Sequence, residues 1–280
     1  MDQNFLPGNL GEVQKIKLLI IPQRTPKMQN IIINADDFGM SKEITSAILS
    51  AMDQNLCLDT TLLVNFGDAE RAANLAIDTN KKDNIGIHFN LTEGIPLTDK
   101  IKQEKRFCND EGIFHYKKQE RIMALTSSEK TAVFEELSSQ VHLCRSFGIP
   151  VSHADSHNHV HEEPGLFLVF LNVIRKEKIP FLRITNNIGA TSITNKLYRK
   201  AYNTALALYN LDGTHYFGTT TEFVAFPKTN DTKTITEIMI HPGAIINDEI
   251  IDTYSKENLS LNLPEIIKGN NLISYHQLIK

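Results

Sequence analysis

Cysteine is scarce in this 280-residue chain, and Cys57, Cys108 and Cys144 form neither a CxxC pair nor a regular framework. That excludes a disulfide scaffold and fits a reducing cytoplasm, where thiols stay free. None of the three lies in a polar cluster that would lower its pKa, so no nucleophilic cysteine is expected. Basic excess is also missing: 29 Lys and Arg face 33 Asp and Glu, a formal net charge of −4. Such a balance provides no overall field for nucleic acid. Long hydrophobic runs are lacking too. The apolar stretch Lys15 to Pro22 (KIKLLIIP) is far shorter than the ~20 residues that cross a bilayer. Its uninterrupted apolar part is also shorter than a signal-peptide core of ~7–15 residues, and no small-residue cleavage site follows it. No membrane association is expected. Internal repeats, low-complexity tracts and linkers are absent as well.

What remains is ordinary globular composition, with 41% hydrophobic and 22% charged residues, and enough length for one large α/β domain with a substantial core. Residues 1–27 are expected to be a poorly ordered N-terminal extension, and residues 28–280 a single domain. Strand and helix patterns alternate. Strands are expected at Ile31–Ala35, Leu58–Asn65, Asn84–Asn90, Val151–Asp155, Phe181–Thr185 and Thr236–Ile240, and Ile273–Leu278 is expected to close the domain. Helices are expected from Ser41 to Gln54, over Asp68–Asp78, from Ser127 or Ser128 to Phe147, over Pro164–Lys178 and over Ser192–Leu211. Between Thr92 and Leu125 the pattern predicts a long excursion with a small hairpin near Phe107–Phe114. Alternation of this kind implies a parallel sheet with helices outside, either a barrel or a doubly wound sheet. The polar motifs fall where strands end, as catalytic groups do in a TIM-like barrel, which favours the barrel.

Asn34-Ala35-Asp36-Asp37-Phe38-Gly39 follows three isoleucines. Adjacent carboxylates repel unless a cation or proton compensates; a turn with a helix cap is the plainer reading. His88 stands in an apolar strand, where a lone histidine is often only a satisfied core residue. His153, Asp155, His157, His159 and His161 occupy alternate positions and would share one face of an extended chain. Burying five such groups without a partner is very unfavourable, whereas a metal, its supporting groups and a polar cleft would account for them. His241 ends an apolar strand before Pro242 and Gly243, and Arg183 is a cation within a strand, which needs a carboxylate partner if buried.

Four motifs, NADDFGMS at Asn34–Ser41, GIHFNLTEGIPL at Gly86–Leu97, HADSHNHVHEEP at His153–Pro164 and MIHPG at Met239–Gly243, resemble the YdjC-like carbohydrate deacetylase family, in that family's order. The resemblance implies an irregular (β/α) barrel, TIM-barrel-like and similar to other polysaccharide deacetylases. It implies a metal-dependent hydrolase that removes acetyl groups from N-acetylated sugars such as chitooligosaccharides. By the same resemblance Asp37, His88 and His157 are the ligands of one divalent metal ion, Mg or Zn. Asp36 is the catalytic base and His241 the general acid. Asp155, His159, His161 and Arg183 support the centre or touch the sugar, Arg183 by orienting Asp36. Strand geometry alone leaves the choice between His157 and His159 open. The family also implies a homodimer, for which the residues give no interface signature. Ala154 departs from a larger apolar residue and His276 from an arginine. The rival readings are a metal-dependent phosphoesterase, a glycosidase with two flanking carboxylic acids, and a non-catalytic sugar-binding protein.

Overall fold

Ile31, Ile32 and Ile33 are fully buried on both faces of the sheet, as in a central strand of a parallel sheet covered by helices. They belong to β1 (Asn30–Phe38) of the computed structural model, which describes residues 28–226 and 233–279. The expected N-terminal extension lies outside the described residues. Ser41 accepts a hydrogen bond from the Ile44 amide and caps α1 (Lys42–Asp53). There follow β2 (Asp59–Leu62), α2 (Ala69–Asp78), β3 (Ile85–Phe89), the short α3 (Asp99–Lys102), α4 (Ser127–Ser146), β4 (Ala154–Ser156), α5 (Phe167–Lys176) and α6 (Ile193–Leu208). The chain continues through β5 (Tyr216–Thr219), α7 (Thr220–Ala225), β6 (Ile235–Ile240), an antiparallel hairpin of β7 (Pro242–Ile246) and β8 (Glu249–Asp252), α8 (Leu259–Lys268) and β9 (Asn271–Leu272).

The sheet order is β4-β3-β2-β1-β6-β5, every pair parallel, with β9 against the foot of β1. It curls into a half-barrel. The strand expected over Phe181–Thr185 is not a strand but a seam. Its contacts to β4 are Ala154 N–H to the Phe181 carbonyl and Arg183 N–H to the Ala154 carbonyl, and the Asn187 N–H reaches the Phe217 carbonyl of β5. The Thr185 N–H is taken by Asn203 Oδ1 of α6 at 2.8 Å, which interrupts any continuous ladder. Ile273–Leu278 likewise forms no closing strand. After β9 it winds into a short 3₁₀ turn whose Tyr275 N–H points at Asp59. The expected hairpin in the excursion is a single antiparallel bridge between Cys108 and Phe114.

Thr126, rather than either serine after it, starts α4. Its hydroxyl accepts from the Glu129 amide and the Glu129 carboxylate accepts from the Thr126 amide, a reciprocal capping box that neither Lys130 nor Thr131 could complete for the two serines. No helix among the described residues is long and apolar enough to cross a membrane.

The short turn from β1 into α1 fixes how closely α2 approaches the sheet. Gly39 has φ +84°, and a Cβ there would lie 2.9 Å from both Ala69 Cα and Leu62 Cδ1. Gly39→Ala is therefore expected to lower the unfolding free energy by about 1–3 kcal/mol, measured by chemical denaturation, from strain at positive φ plus this overlap.

Candidate active site

Asp36 and Asp37 sit in a β-bulge. Asn34 and Ala35 pair with Asp59 and Thr60, but Phe38 pairs with Leu62, so three steps on β1 match two on β2. Asp37 takes φ 72° at this slip. Bulges re-aim side chains, and here neighbouring carboxylates that a regular strand would send to opposite faces reach one buried centre by different routes.

Asp37 Oδ1 lies 2.8 Å from His157 Nδ1 and 3.2 Å from His88 Nε2. One ligand atom from each of Asp37, His88 and His157 lies within 4.8 Å of the others, and all three residues are buried. The two imidazoles are held in opposite senses. His88 stands beside Asp155 in register, with Nδ1 2.6 Å from the Asp155 carboxylate and 3.0 Å from the Thr61 hydroxyl, which leaves Nε2 facing Asp37. His157 presents Nδ1 to Asp37, and its Nε2 lies 3.4 Å from the half-exposed Glu93. A carboxylate behind each imidazole is the arrangement that orients metal-binding histidines. Carboxylate and imidazole donors suit a divalent cation, and two histidines favour zinc or a similar metal. The residues present fit such an ion.

Asp36 faces the other way. Arg183 donates to both of its oxygens, at 2.6 and 2.7 Å, and Asn34 donates to Oδ1 at 2.8 Å. The same guanidinium, itself 1% exposed, is 2.8 Å from Asp155 and donates to Glu237 at 2.8 Å. Burial opposes ionisation of Asp36, but Arg183 outweighs it and holds the carboxyl well below the usual carboxylate range. Burial pushes Asp155 and Glu237 upward, since one guanidinium serves three acids. Glu237 also accepts from the Tyr275 hydroxyl at 2.7 Å. Burial disfavours a charged His88, yet Asp155, Asp37 and Asp36 together raise it to about 10.

His241 follows β6 directly. Its Nε2 lies 3.9 Å from Asp36 Oδ2, and its backbone N–H donates to Asp252 at 2.7 Å. With Thr219, Thr220, Thr221, Asn158 and Tyr254 these groups line a cavity of about 330 Å³. Hollows of about 560 Å³ lie along α6 and between α4 and α5, away from the carboxylates and imidazoles, so chemistry rather than size marks the site.

The histidine strip departs from its expected form. His153, Asp155 and His157 do share a direction, toward Asn34, His88 and Asp37 respectively. Extended chain ends there: Asn158 and His159 have φ near +50° and residues 157–162 form a helical turn. His159 lines the cavity from the far side of that turn. His161 turns into the core against Phe170 and Tyr202, with Nδ1 at 2.5 Å from the Ser156 hydroxyl, and does not reach the cavity. Sequence reading passed over Glu237, Glu93, Asp252 and Tyr254. For Glu237 a signal existed, an acid inside the apolar strand Thr236–Ile240 to match the cation inside Phe181–Ile184. The cysteines are buried and free, and burial pushes the thiols of Cys108 and Cys144 up to about 11 and 12, respectively.

Residues 30–267 match the family of YdjC-like proteins. The chain belongs to the YdjC-like family. It is 38% identical over 149 residues to a carbohydrate deacetylase of Geobacillus stearothermophilus, covering 53% of this chain and 57% of that protein. It is 34% identical over 164 residues to one of Xenopus laevis, with 57% and 52% covered. Against a carbohydrate deacetylase of Brevibacillus brevis the identity is 27% over 230 residues, with 80% and 85% covered. The chain thus spans little more than half the length of the first two relatives. A crystal structure from Enterococcus faecalis, described as a cellobiose-phosphate cleavage protein, superposes with TM-score 0.67 at 22% identity, over 90% of this chain and 99% of that one, which shows a shared fold.

A metal-free His88 raised to about 10 carries a proton on Nε2 that a cation must displace. Binding of a divalent cation near pH 8 is therefore expected to release about one proton per chain. Calorimetry in buffers of different ionisation enthalpy measures it; a binding enthalpy independent of buffer would contradict the protonated His88.

Proposed function

We propose that this YdjC-like chain is a metal-dependent hydrolase that removes acetyl groups from N-acetylated sugars of the chitooligosaccharide type. The observation that carries the proposal is the convergence of Asp37, His88 and His157, with their ligand atoms within 4.8 Å, beside a separately anchored Asp36. The names of the relatives, carbohydrate deacetylases, support the substrate class.

Asp37, His88 and His157 would hold one divalent ion, zinc or magnesium. When bound, such an ion supplies Lewis acidity toward water and toward the acetamide oxygen. Asp36, kept ionised by Arg183, accepts the proton of the attacking water. The guanidinium that ensures ionisation also weakens the base, so Asp36 is suited to a water more acidic than bulk water. His241, whose Nε2 lies 3.9 Å from the Asp36 oxygen that also meets Arg183, gives a proton to the nitrogen as the C–N bond breaks. Acetate and a free amine leave. His159 and the threonines 219–221 contact the sugar from the cavity wall. In this proposal residues 28–280 form one domain, working in the cytoplasm, where its buried thiols remain reduced.

Ligands for a second ion would favour a phosphoesterase. The other Asp/His group of the described residues, Asp36, His88 and Asp155, already encloses Arg183 contacts, so a single ion is proposed.

Acetate release from N-acetylated di- and oligosaccharides is expected, lost on chelation and restored by adding back the metal. Asp36→Asn is expected to retain bound metal while turnover falls by about 10²–10⁴-fold. Near-full activity of that variant would overturn the assignment of the base, and phosphate release without acetate release would overturn the reaction.

A further inference from the structure

One wall of the cavity is built by His241, by Asp252 at the end of β8 and by the turn after it. Asp252 staples this wall together. Its Oδ2 accepts from the His241 amide at 2.7 Å, and its Oδ1 accepts from the amides of Tyr254 and Ser255 at 3.0 and 2.9 Å. The Thr253 amide returns a bond to the His241 carbonyl at 2.7 Å. His241 and Tyr254, thirteen positions apart, are thereby fixed to one carboxylate. The Tyr254 ring then meets the His241 ring edge to face, with centroids 4.5 Å apart and planes at 85°. Its hydroxyl reaches across the cavity to Asp37 Oδ2 at 3.4 Å, a long hydrogen bond, while Asp37 Oδ1 faces the two imidazoles. Tyr254 is 58% exposed, so this ring is not held in place as a core residue, while its ring contact with His241 and its hydroxyl bond to Asp37 both face the reaction centre.

We infer that Tyr254 is a positioning residue that serves both halves of the site. Its hydroxyl engages the outer oxygen of Asp37, which leaves one carboxylate oxygen for the cation, and its ring sets the orientation of His241. The inference rests on the functional reading above but separates into two contributions with different readouts. Removing the hydroxyl alone affects the cation, because outer partners of metal ligands typically contribute 10–100-fold in affinity. Removing the ring as well affects proton delivery, because small misplacements of a reacting group are costly in rate.

The test compares Tyr254→Phe and Tyr254→Leu in the full chain, each first checked for folding by circular dichroism and thermal unfolding. Zinc is titrated calorimetrically into chelator-stripped protein, and kcat and KM for acetate release are measured at saturating zinc. Both variants are expected to bind zinc about tenfold more weakly than the unmodified chain. Tyr254→Leu is expected to have a kcat roughly tenfold below that of Tyr254→Phe, with KM moved less. Wild-type zinc affinity in Tyr254→Phe would overturn the hydroxyl contribution, and equal kcat in the two variants would overturn the ring contribution. If the unmodified chain binds zinc but releases no acetate, the functional reading fails while the affinity comparison still decides the role of the hydroxyl.

Discussion

One buried guanidinium holds the centre together. Arg183 touches Asp36, Asp155 and Glu237, which come from β1, β4 and β6. Three carboxylates so close to one another in a dry interior are tolerable only with a cation among them, and loss of that partner would leave uncompensated buried charge at a cost of roughly 3–5 kcal/mol. Each acid then has a second task. Asp36 faces His241, Asp155 fixes which nitrogen His88 presents, and Glu237 receives the Tyr275 hydroxyl. The seam at Phe181–Asn187, too irregular for a strand, is where the curled sheet admits this long cation.

The bulge in β1 is the complementary device. Consecutive carboxylates on a regular strand diverge by period two, so Asp36 and Asp37 would serve opposite faces. The slip of register lets one turn toward Arg183 and the other toward the imidazoles. Electrostatics keeps their duties distinct. Arg183 satisfies Asp36 with two hydrogen bonds, whereas Asp37 is met by imidazole nitrogens that bind either a proton or a metal.

Much of this was legible in the residues themselves. The three isoleucines before Asn34 mark a strand buried on both faces, and Ser41 before an amphipathic run marks a cap. Alternation correctly groups His153, Asp155 and His157. It fails at Asn158, where the chain enters left-handed backbone that a period-two reading cannot foresee, and His161 consequently ends in the core. The strand expected at Phe181–Thr185 fails for a tertiary reason, since Asn203 of α6 takes the Thr185 amide that a ladder would need. Ser127 and Ser128 lose the cap of α4 to Thr126 because only Thr126 has a glutamate three residues on. Tyr254 left no trace in the sequence: its place depends on how Asp252 folds the post-hairpin turn back onto His241.

The chain belongs to the YdjC-like family and shares its fold with the Enterococcus faecalis structure, while the proposed deacetylation depends on a cation held by Asp37, His88 and His157. Anomalous diffraction from crystals soaked in zinc tests that grip most directly. The expected result is a single strong peak about 2.0–2.2 Å from an Asp37 oxygen and from one nitrogen each of His88 and His157. A saturated crystal with no peak among these three side chains, or with the ion seated on other residues, would contradict it.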